Sequence, residues 1–486
     1  MTDLQLSAAA SADKPTVPTL QRLYELSPAA NAASRAKIAA LYTHHSAPRW
    51  NHPAGDRLSH EDVARLSAFA QHFAAARDVR TAQPGDAILA WAQSRIAATP
   101  LFRARVADGM AGDMAGNMAG NMAAQWTELP TTSREDIASH AARLVPDDAP
   151  LERMIVYRTA GATGHALLVP QDALAVACYL PLLNFALARY GVDTTFSPED
   201  TACFLVGSQR HTVTYPTVMS GWGGAGFAKL NLFVDEWPDA GARADYFRHF
   251  APRILTGDPL SFADMLEAGI GGTPKALVTT AVAMPPALKA KLQSAYGCPV
   301  IDWYSLTETG PLGYACTHGH GYHWLAHDVY LETLDDTGQP TAGRGEITVT
   351  GGRNPFIPLL RYRTGDWGRI DFASCPCGDP MPRLLELEGR APVRFRAGGG
   401  ATIGTQDVAT VLRRYPLVQH GFEQLSDGAC VLTYRVLAGT SWRRDDLEAE
   451  LRALLRQQVV LREDAELGRR GAVDKLIPYI SKMIEE

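Results

Sequence analysis

Several absences narrow the reading of this 486-residue chain. It has no excess of positive charge: the formal net charge is −6, so it carries no electrostatic footprint for nucleic acid or for an acidic membrane surface. It has no long apolar run. The most apolar stretch, Ala173 to Ala188, is broken by Pro181 and Asn184 and is too short to span a bilayer, so it is expected to be a buried helix. The start, Met1-Thr-Asp-Leu-Gln5, has no basic stretch leading into an apolar one and gives no sign of a secretory signal. It has no cysteine framework: seven cysteines, at 178, 203, 298, 316, 375, 377 and 430, are odd in number and scattered. With 46% hydrophobic and 20% charged residues, the composition is that of a soluble globular protein, and a reducing cytoplasm is the expected compartment. No feature of the sequence sets the oligomeric state.

What is present divides into parts, since 486 residues exceed one ordinary core. Residues 1–90 read as a lead followed by a helical extension packed on the main domain. Its helices are predicted at Ala33–Tyr42, at His60–Arg77 with Ser59 as N-cap and Glu61 and Asp62 in the first turn, and at Asp86–Ala97. Residues 109–124 repeat Met-Ala-Gly-Asp/Asn, and glycine at every fourth position opposes a helix, so a flexible surface loop is expected. Thr132-Ser-Arg-Glu135 matches a capping box.

Between residues 91 and 389, short apolar strands alternate with helical stretches. Ala202–Val206, Arg253–Leu255, Ala276–Thr280 and Pro299–Asp302 are the clearest strands. This is the α/β pattern of mixed or parallel sheets with flanking helices, in which ligands sit at the carboxyl ends of strands. Residues 390–486 form a small α+β unit, with helices predicted over Thr405–Tyr415 and Asp445–Val460 and a strand over Cys430–Val436.

Four stretches carry the chemistry. Arg158-Thr-Ala-Gly-Ala-Thr-Gly-His165 is a small-residue turn between two predicted strands, able to aim backbone N–H groups and the Thr159 and Thr163 hydroxyls at an anion. It is not the G-x-x-x-x-G-K-[ST] loop, because the spacing differs and His165 stands where a lysine would. Asp302-Trp-Tyr-Ser-Leu-Thr-Glu308-Thr-Gly-Pro311, Leu360-Arg-Tyr-Arg-Thr-Gly-Asp366 and Leu387-Glu-Gly-Arg390 follow in that order. Together they resemble the adenylate-forming superfamily of acyl-CoA synthetases and adenylation domains, and within it the phenylacetate–CoA ligase group. The resemblance runs from about residue 92 to 486.

That resemblance implies a large adenylation domain with a small mobile C-terminal lid. It implies an AMP-forming ligase that activates a small, aromatic carboxylic acid with ATP and Mg²⁺ and passes the acyl group to coenzyme A. A carrier-protein thiol or an amine is the alternative acceptor, and a non-catalytic nucleotide-binding protein a minor one. The turn at Thr159, Gly161, Thr163, Gly164 and His165 would hold the β- and γ-phosphates. Thr307 would bond the α-phosphate, and Glu308 would hold Mg²⁺. Tyr304 would stack on adenine, Asp366 would accept from the ribose, and Ser305 and Arg390 would lie at the nucleotide. The lid lysine matches Lys475, with Lys482 in reserve. The run Gly389-Arg-Ala-Pro392 places a proline at the hinge, and proline restricts φ.

A second signal is metal-like. Cys316-Thr-His-Gly-His-Gly-Tyr-His323 and Cys375-Pro-Cys377 offer three thiolates and an imidazole, which suits a closed, structural Zn²⁺ site. His323 is the expected fourth ligand, supported by the same resemblance, with His318 and His320 as alternatives. The acid pocket is expected among His211, Tyr215, Trp222, Phe227 and Gly257.

Overall fold

The computed structural model of the chain describes residues 17–74, 83–109, 122–158, 167–210, 212–325, 328–389, 392–468 and 477–483. Most of the Met-Ala-Gly repeat lies outside the described residues, as do Thr159, Gly161, Thr163, Gly164, His165, His211, Arg390 and Lys475.

A 13-stranded mixed sheet runs through the large domain. Its first half is parallel: Ala225–Asn231, Thr201–Gly207, Ile254–Gly257, Ala276–Thr279 and Val300–Leu306 pair in that spatial order. Nearly every residue of the first four is buried, as both faces are covered by helices. The sheet changes sense at Gly310–Ala315, which pairs antiparallel with Val300–Leu306. The turn between them is Thr307-Glu308-Thr309, at the carboxyl end of the last parallel strand. From there the order is Tyr322–Trp324, Arg383–Glu388, Leu359–Asp371, Gly345–Gly351 and Val329–Leu334, all antiparallel.

The apolar stretch from Ala173 forms two consecutive helices, Ala173–Ala177 and Tyr179–Arg189, buried as expected. The expected hairpin is present as Met154–Arg158 paired antiparallel with Leu168–Asp172. Among the described residues, the N-terminal extension has a small cluster, Leu23, Ala30 and Ile38 with Val218 of the large domain, and sends other apolar side chains into that domain's cores. Leu41 and Trp50 share a core with Phe204 and Tyr246, while Ala54 and Phe73 share one with Leu183 and Trp303. Residues 17–74 therefore finish the large domain rather than stand beside it.

Two local readings shift. The capping box before Arg134–Leu144 is one residue later than expected: Asp136 accepts from the Ser133 N–H at 2.8 Å. Thr132 is otherwise engaged, donating its hydroxyl to the Leu360 carbonyl at 2.9 Å and pairing with Tyr362 across a short parallel ladder. The helix expected to reach Val460 ends at Leu455, because Arg456 adopts a left-handed φ of 52° and Val459–Glu463 instead pairs with Cys430–Val436. That pair belongs to the four-stranded sheet of the C-terminal unit, which Leu417–Gln424 and Tyr479–Ser481 complete. Thr405–Leu412 and Arg444–Leu455 pack on it around Phe395, Leu432 and Leu451.

One buried ion pair anchors the antiparallel half. Arg361 is 1% exposed; its Nε donates to Glu332 Oε1 at 2.9 Å, and its Nη1 donates to the carbonyls of Thr127 and Leu129 at 2.9 and 2.8 Å. Arg361→Ala leaves the Glu332 carboxylate buried without its cation, so we expect a loss of about 3 kcal/mol or more in denaturant unfolding. Arg361→Met combined with Glu332→Leu should recover much of it. Equal midpoints for Arg361→Ala and wild type would show that the pair does not anchor this half.

Candidate active site and metal centre

Two of the motif stretches meet through two phenols. Tyr304, on Val300–Leu306, donates to Asp366 Oδ2 at 2.9 Å. Tyr362, on Leu359–Asp371, donates to Glu308 Oε1 at 2.7 Å. Each bond ties one stretch to the other across 62 and 54 residues of chain. Burial, then the facing carboxylate, pushes both phenols well above their ordinary value, so they stay protonated and donate. Tyr362 was not among the predicted site residues. It lies four residues before Asp366 on the same strand, but the ladder slips between Arg363 and Trp367, so strand alternation gave no signal for it.

Glu308 is buried at 4% exposure and lines a cleft of about 270 Å³ with Gln171, Tyr179, Thr309, Arg353 and Asn354. Its Oε1 takes the Tyr362 hydroxyl and lies 3.9 Å from Arg134. A carboxylate has about four lone-pair sites, so capacity remains for a hard cation. The Thr307 carbonyl is held at 2.9 Å by Gln171 Nε2, which comes from the strand leaving the glycine turn. The turn itself lies outside the described residues, but its flanking strand is thereby fixed to the Thr307–Glu308 turn. Ser305 Oγ is buried and, among the described residues, has no hydrogen-bond partner. The reserve lysine, Lys482, forms an exposed ion pair with Glu423 at 2.5 Å within the C-terminal unit.

The pocket residues separate. Tyr215 and Phe227 line a larger cavity of about 730 Å³. Trp222 does not; it is 2% exposed in the core, with its indole N–H donating to Asn184 Oδ1 at 2.8 Å. Gly257 packs against the neighbouring strand, where a Cβ would come within 2.7 Å of the Val206 carbonyl.

Cys316, His323, Cys375 and Cys377 converge, with their ligand atoms all within 4.8 Å of one another. Cys316 Sγ and Cys375 Sγ are 3.7 Å apart, and His323 Nε2 lies 3.1 Å from Cys377 Sγ. Four ligands at about 2.3 Å from a tetrahedral ion sit roughly 3.7 Å from each other, so the donor set fits a closed zinc-type site. His323 Nδ1 lies 3.1 Å from the Met381 carbonyl and can donate to it, which would direct Nε2 to the cluster. His318 and His320 are exposed and outside the cluster; their segment makes the glycine turn whose His318 N–H donates to Cys316 Sγ at 3.4 Å. The centre lies behind Gly310–Ala315, Tyr322–Trp324 and Arg383–Glu388, the strands between the Glu308 turn and the Asp366 strand.

A scan against protein-family models finds no match, and a search of curated proteins finds none either. Solved structures do match. 2-Hydroxyisobutyryl-CoA ligase in the postadenylation state, in complex with R3-HIB-AMP, aligns at TM-score 0.61 and 14% identity over 86% of this chain and 90% of that one. The same ligase in the thioesterification state with 2-HIB-AMP and CoA aligns at TM-score 0.50 and 15% identity, over 86% and 90%. The chain has the fold of these acyl-CoA ligases of the adenylate-forming superfamily.

A closed four-ligand site should couple metal binding to stability. Stripping the purified protein with a chelator should lower its melting temperature, and one equivalent of Zn²⁺ should restore it. Cys375→Ser should respond to neither. A wild type indifferent to both would show a cluster of buried thiols without an ion.

Proposed function

We propose that this chain activates a small aromatic carboxylic acid with ATP, forming an acyl-adenylate and pyrophosphate, and then passes the acyl group to coenzyme A. The observation that carries the reading is the pair of phenol–carboxylate bonds. They join Tyr304 to Asp366 and Glu308 to Tyr362 at the carboxyl end of the last parallel strand, and a solved structure of the same fold carries an acyl-adenylate, which supports the reading.

Adenylation joins two anions, a carboxylate and a polyphosphate, and charge builds on the phosphoryl oxygens as pyrophosphate leaves. A site for it needs donors, a cation and fixed geometry. When bound at Glu308, Mg²⁺ would supply the Lewis acid that draws off that charge. The chain's own groups do the positioning. Tyr362 holds the Glu308 carboxylate in one orientation. Tyr304 is fixed by Asp366, so its ring can stack on adenine, while the rest of the Asp366 carboxylate can accept from ribose hydroxyls. Thr307 faces the α-phosphate, with its backbone held by Gln171. The turn Thr159, Gly161, Thr163, Gly164 and His165 would cradle the outer phosphates, and Arg390 would close over the nucleotide. Lys475 would bring the lid's cation to the attacking carboxylate.

We assign a structural zinc ion to Cys316, His323, Cys375 and Cys377. A second acceptor, an amine or a carrier-protein thiol, is favoured by one observation, the proline at position 392 beside the hinge, which limits the rotation that would admit coenzyme A.

Acid-dependent exchange of labelled pyrophosphate into ATP, over a panel of acids, tests the first step. Glu308→Gln should lower exchange by about a hundredfold or more, and Tyr362→Phe should lower it less, mainly through the Mg²⁺ requirement. No exchange with any acid, or full exchange by Glu308→Gln, would sink the reading. Thioester formation on adding coenzyme A separates the acceptors.

A further inference from the structure

The 730 Å³ cavity has a wall that the adenylation reading does not use. Most of its lining is apolar or aromatic: Ile155, Tyr157, Leu180, Tyr215, Met219 and Phe227. The exception is the turn Gly55-Asp56-Arg57-Leu58, which comes from the N-terminal extension, outside the region that carries the family resemblance.

That turn is built rather than loose. Arg57 holds a left-handed φ of 56°, unusual for a long side chain. Its N–H donates to the Leu26 carbonyl at 2.9 Å. Gly55 is pressed on the same carbonyl, where a Cβ would come within 2.0 Å. The Asp56 carboxylate faces away from Arg57. It accepts from the Ser220 N–H at 2.8 Å and the Leu58 N–H at 3.3 Å. Among the described residues, no carboxylate pairs with the Arg57 guanidinium. Besides Arg57, the cavity is bordered by the Asp56 carboxylate, and His52 nearby is held near pKa 4 by burial first, then by Lys229 and Arg57. Arg22 adds a further positive charge near Arg57, though it is itself paired with Glu25 at 2.9 Å. Tyr157 faces Arg57 from the hairpin that carries the glycine turn.

Tyr179 lines both this cavity and the cleft at Glu308, so the two spaces share a wall. An acid whose reacting carboxylate lies near Glu308 would have to pass Tyr179, the side chain the two spaces share, to place its other end at the turn. We propose that this cavity is the acyl pocket and that Arg57 makes it selective for acids bearing a second, negatively charged group at the far end. The inference rests on the adenylation reading and deepens it. Arg57 is exposed, and its planar guanidinium can pair with a carboxylate in two parallel hydrogen bonds. In this reading the N-terminal extension is the specificity element, and Arg57 determines substrate choice without touching the reacting atoms.

The test compares matched probes: phenylacetate with 4-carboxyphenylacetate, and hexanoate with adipate. Pyrophosphate exchange is read as kcat/KM, and direct binding of each acid to the Mg-ATP-free enzyme is read by calorimetry. Wild type should favour the diacid of each pair by about tenfold to a hundredfold, the range for a hydrogen bond to a charged group. Arg57→Gln should erase that preference through KM, raising the diacid's KM far more than the monoacid's, and Arg57→Lys should restore part of it. A wild-type preference for the monoacids, or a diacid preference untouched by Arg57→Gln, would overturn the inference while leaving adenylation standing. Diacid binding that Arg57→Gln weakens, with no exchange for any acid, would sustain the site and sink the adenylation reading.

Discussion

The antiparallel half of the sheet depends on how one strand, Leu359–Asp371, resolves a conflict in its own sequence. Strict alternation would place Leu359, Arg361 and Arg363 on one face. Instead the ladder with Gly345–Gly351 slips between Val349 and Gly351, so that Leu360 and Arg361 together stand opposite Thr350. Arg361 takes φ of 43°, and its N–H finds Thr350 Oγ1 at 2.9 Å. The bulge sends the guanidinium inward to Glu332 and to two carbonyls of the 127–129 segment. Beyond the slip Tyr362 reaches Glu308, and a second slip between Arg363 and Trp367, with Gly365 at φ of 80°, comes before the ladder resumes and leaves Asp366 against Tyr304. The same strand thus buries its cation on the core side and delivers two polar groups to the site. A polar group so fully enclosed is tolerable only with every partner in place, which makes the bulge a fixed point for the residues after it.

That device explains what could be read from the chain and what could not. The parallel strands were legible because they are short apolar runs, buried on both faces, and context hardly alters them. Their bounds moved by only a residue or two, apart from the last, which runs four residues past Asp302 to Leu306. The hairpin at Met154–Asp172 was legible from its small-residue turn. Tyr304, Glu308 and Asp366 were legible as motif residues, but the bonds that join them were not, since they cross more than fifty residues. Trp222 was misplaced for a related reason. An aromatic side chain in a strand-rich stretch reads the same whether it faces a pocket or a core, and only Asn184, from a distant helix, settles its direction. Arg456 and Val459 defeat local reasoning too: helix periodicity runs on through them, and strand pairing with Cys430–Val436 overrides it.

Burial order matters as much as register in the first 74 residues. No motif there announces a role, yet Leu41, Trp50, Ala54 and Phe73 complete the two cores that flank the parallel strands. Asn51 pairs with the Thr214 N–H and the Thr212 carbonyl at 2.8 and 2.9 Å, holding the start of the edge strand Tyr215–Met219. An extension so placed covers an otherwise open sheet edge and at the same time reaches the cavity behind it. Structure and selectivity in that segment share a cause, since the turn at residues 55–58 is rigid only because the extension is packed.

The C-terminal unit is held by a similar combination of burial and charge. Arg435, 2% exposed, donates through Nη2 to Asp264 at 2.7 Å and to Glu267 at 2.9 Å. Both acids lie on the helix Pro259–Glu267, whose N-cap Asp258 directly follows Gly257 at the end of a parallel strand. Asp264 also accepts from Ser208, which follows the strand Thr201–Gly207. Removing that unit from this helix would leave two carboxylates to be resolvated and a buried guanidinium to be exposed, while Val418 and Leu437 would leave the large domain's core. Apolar contact favours this arrangement without directing it; the charged cluster adds direction, because only one register sets Arg435 between both acids. The position of the C-terminal unit is therefore coupled, through Asp264, Ser208 and the helix that follows Gly257, to the ends of two parallel strands.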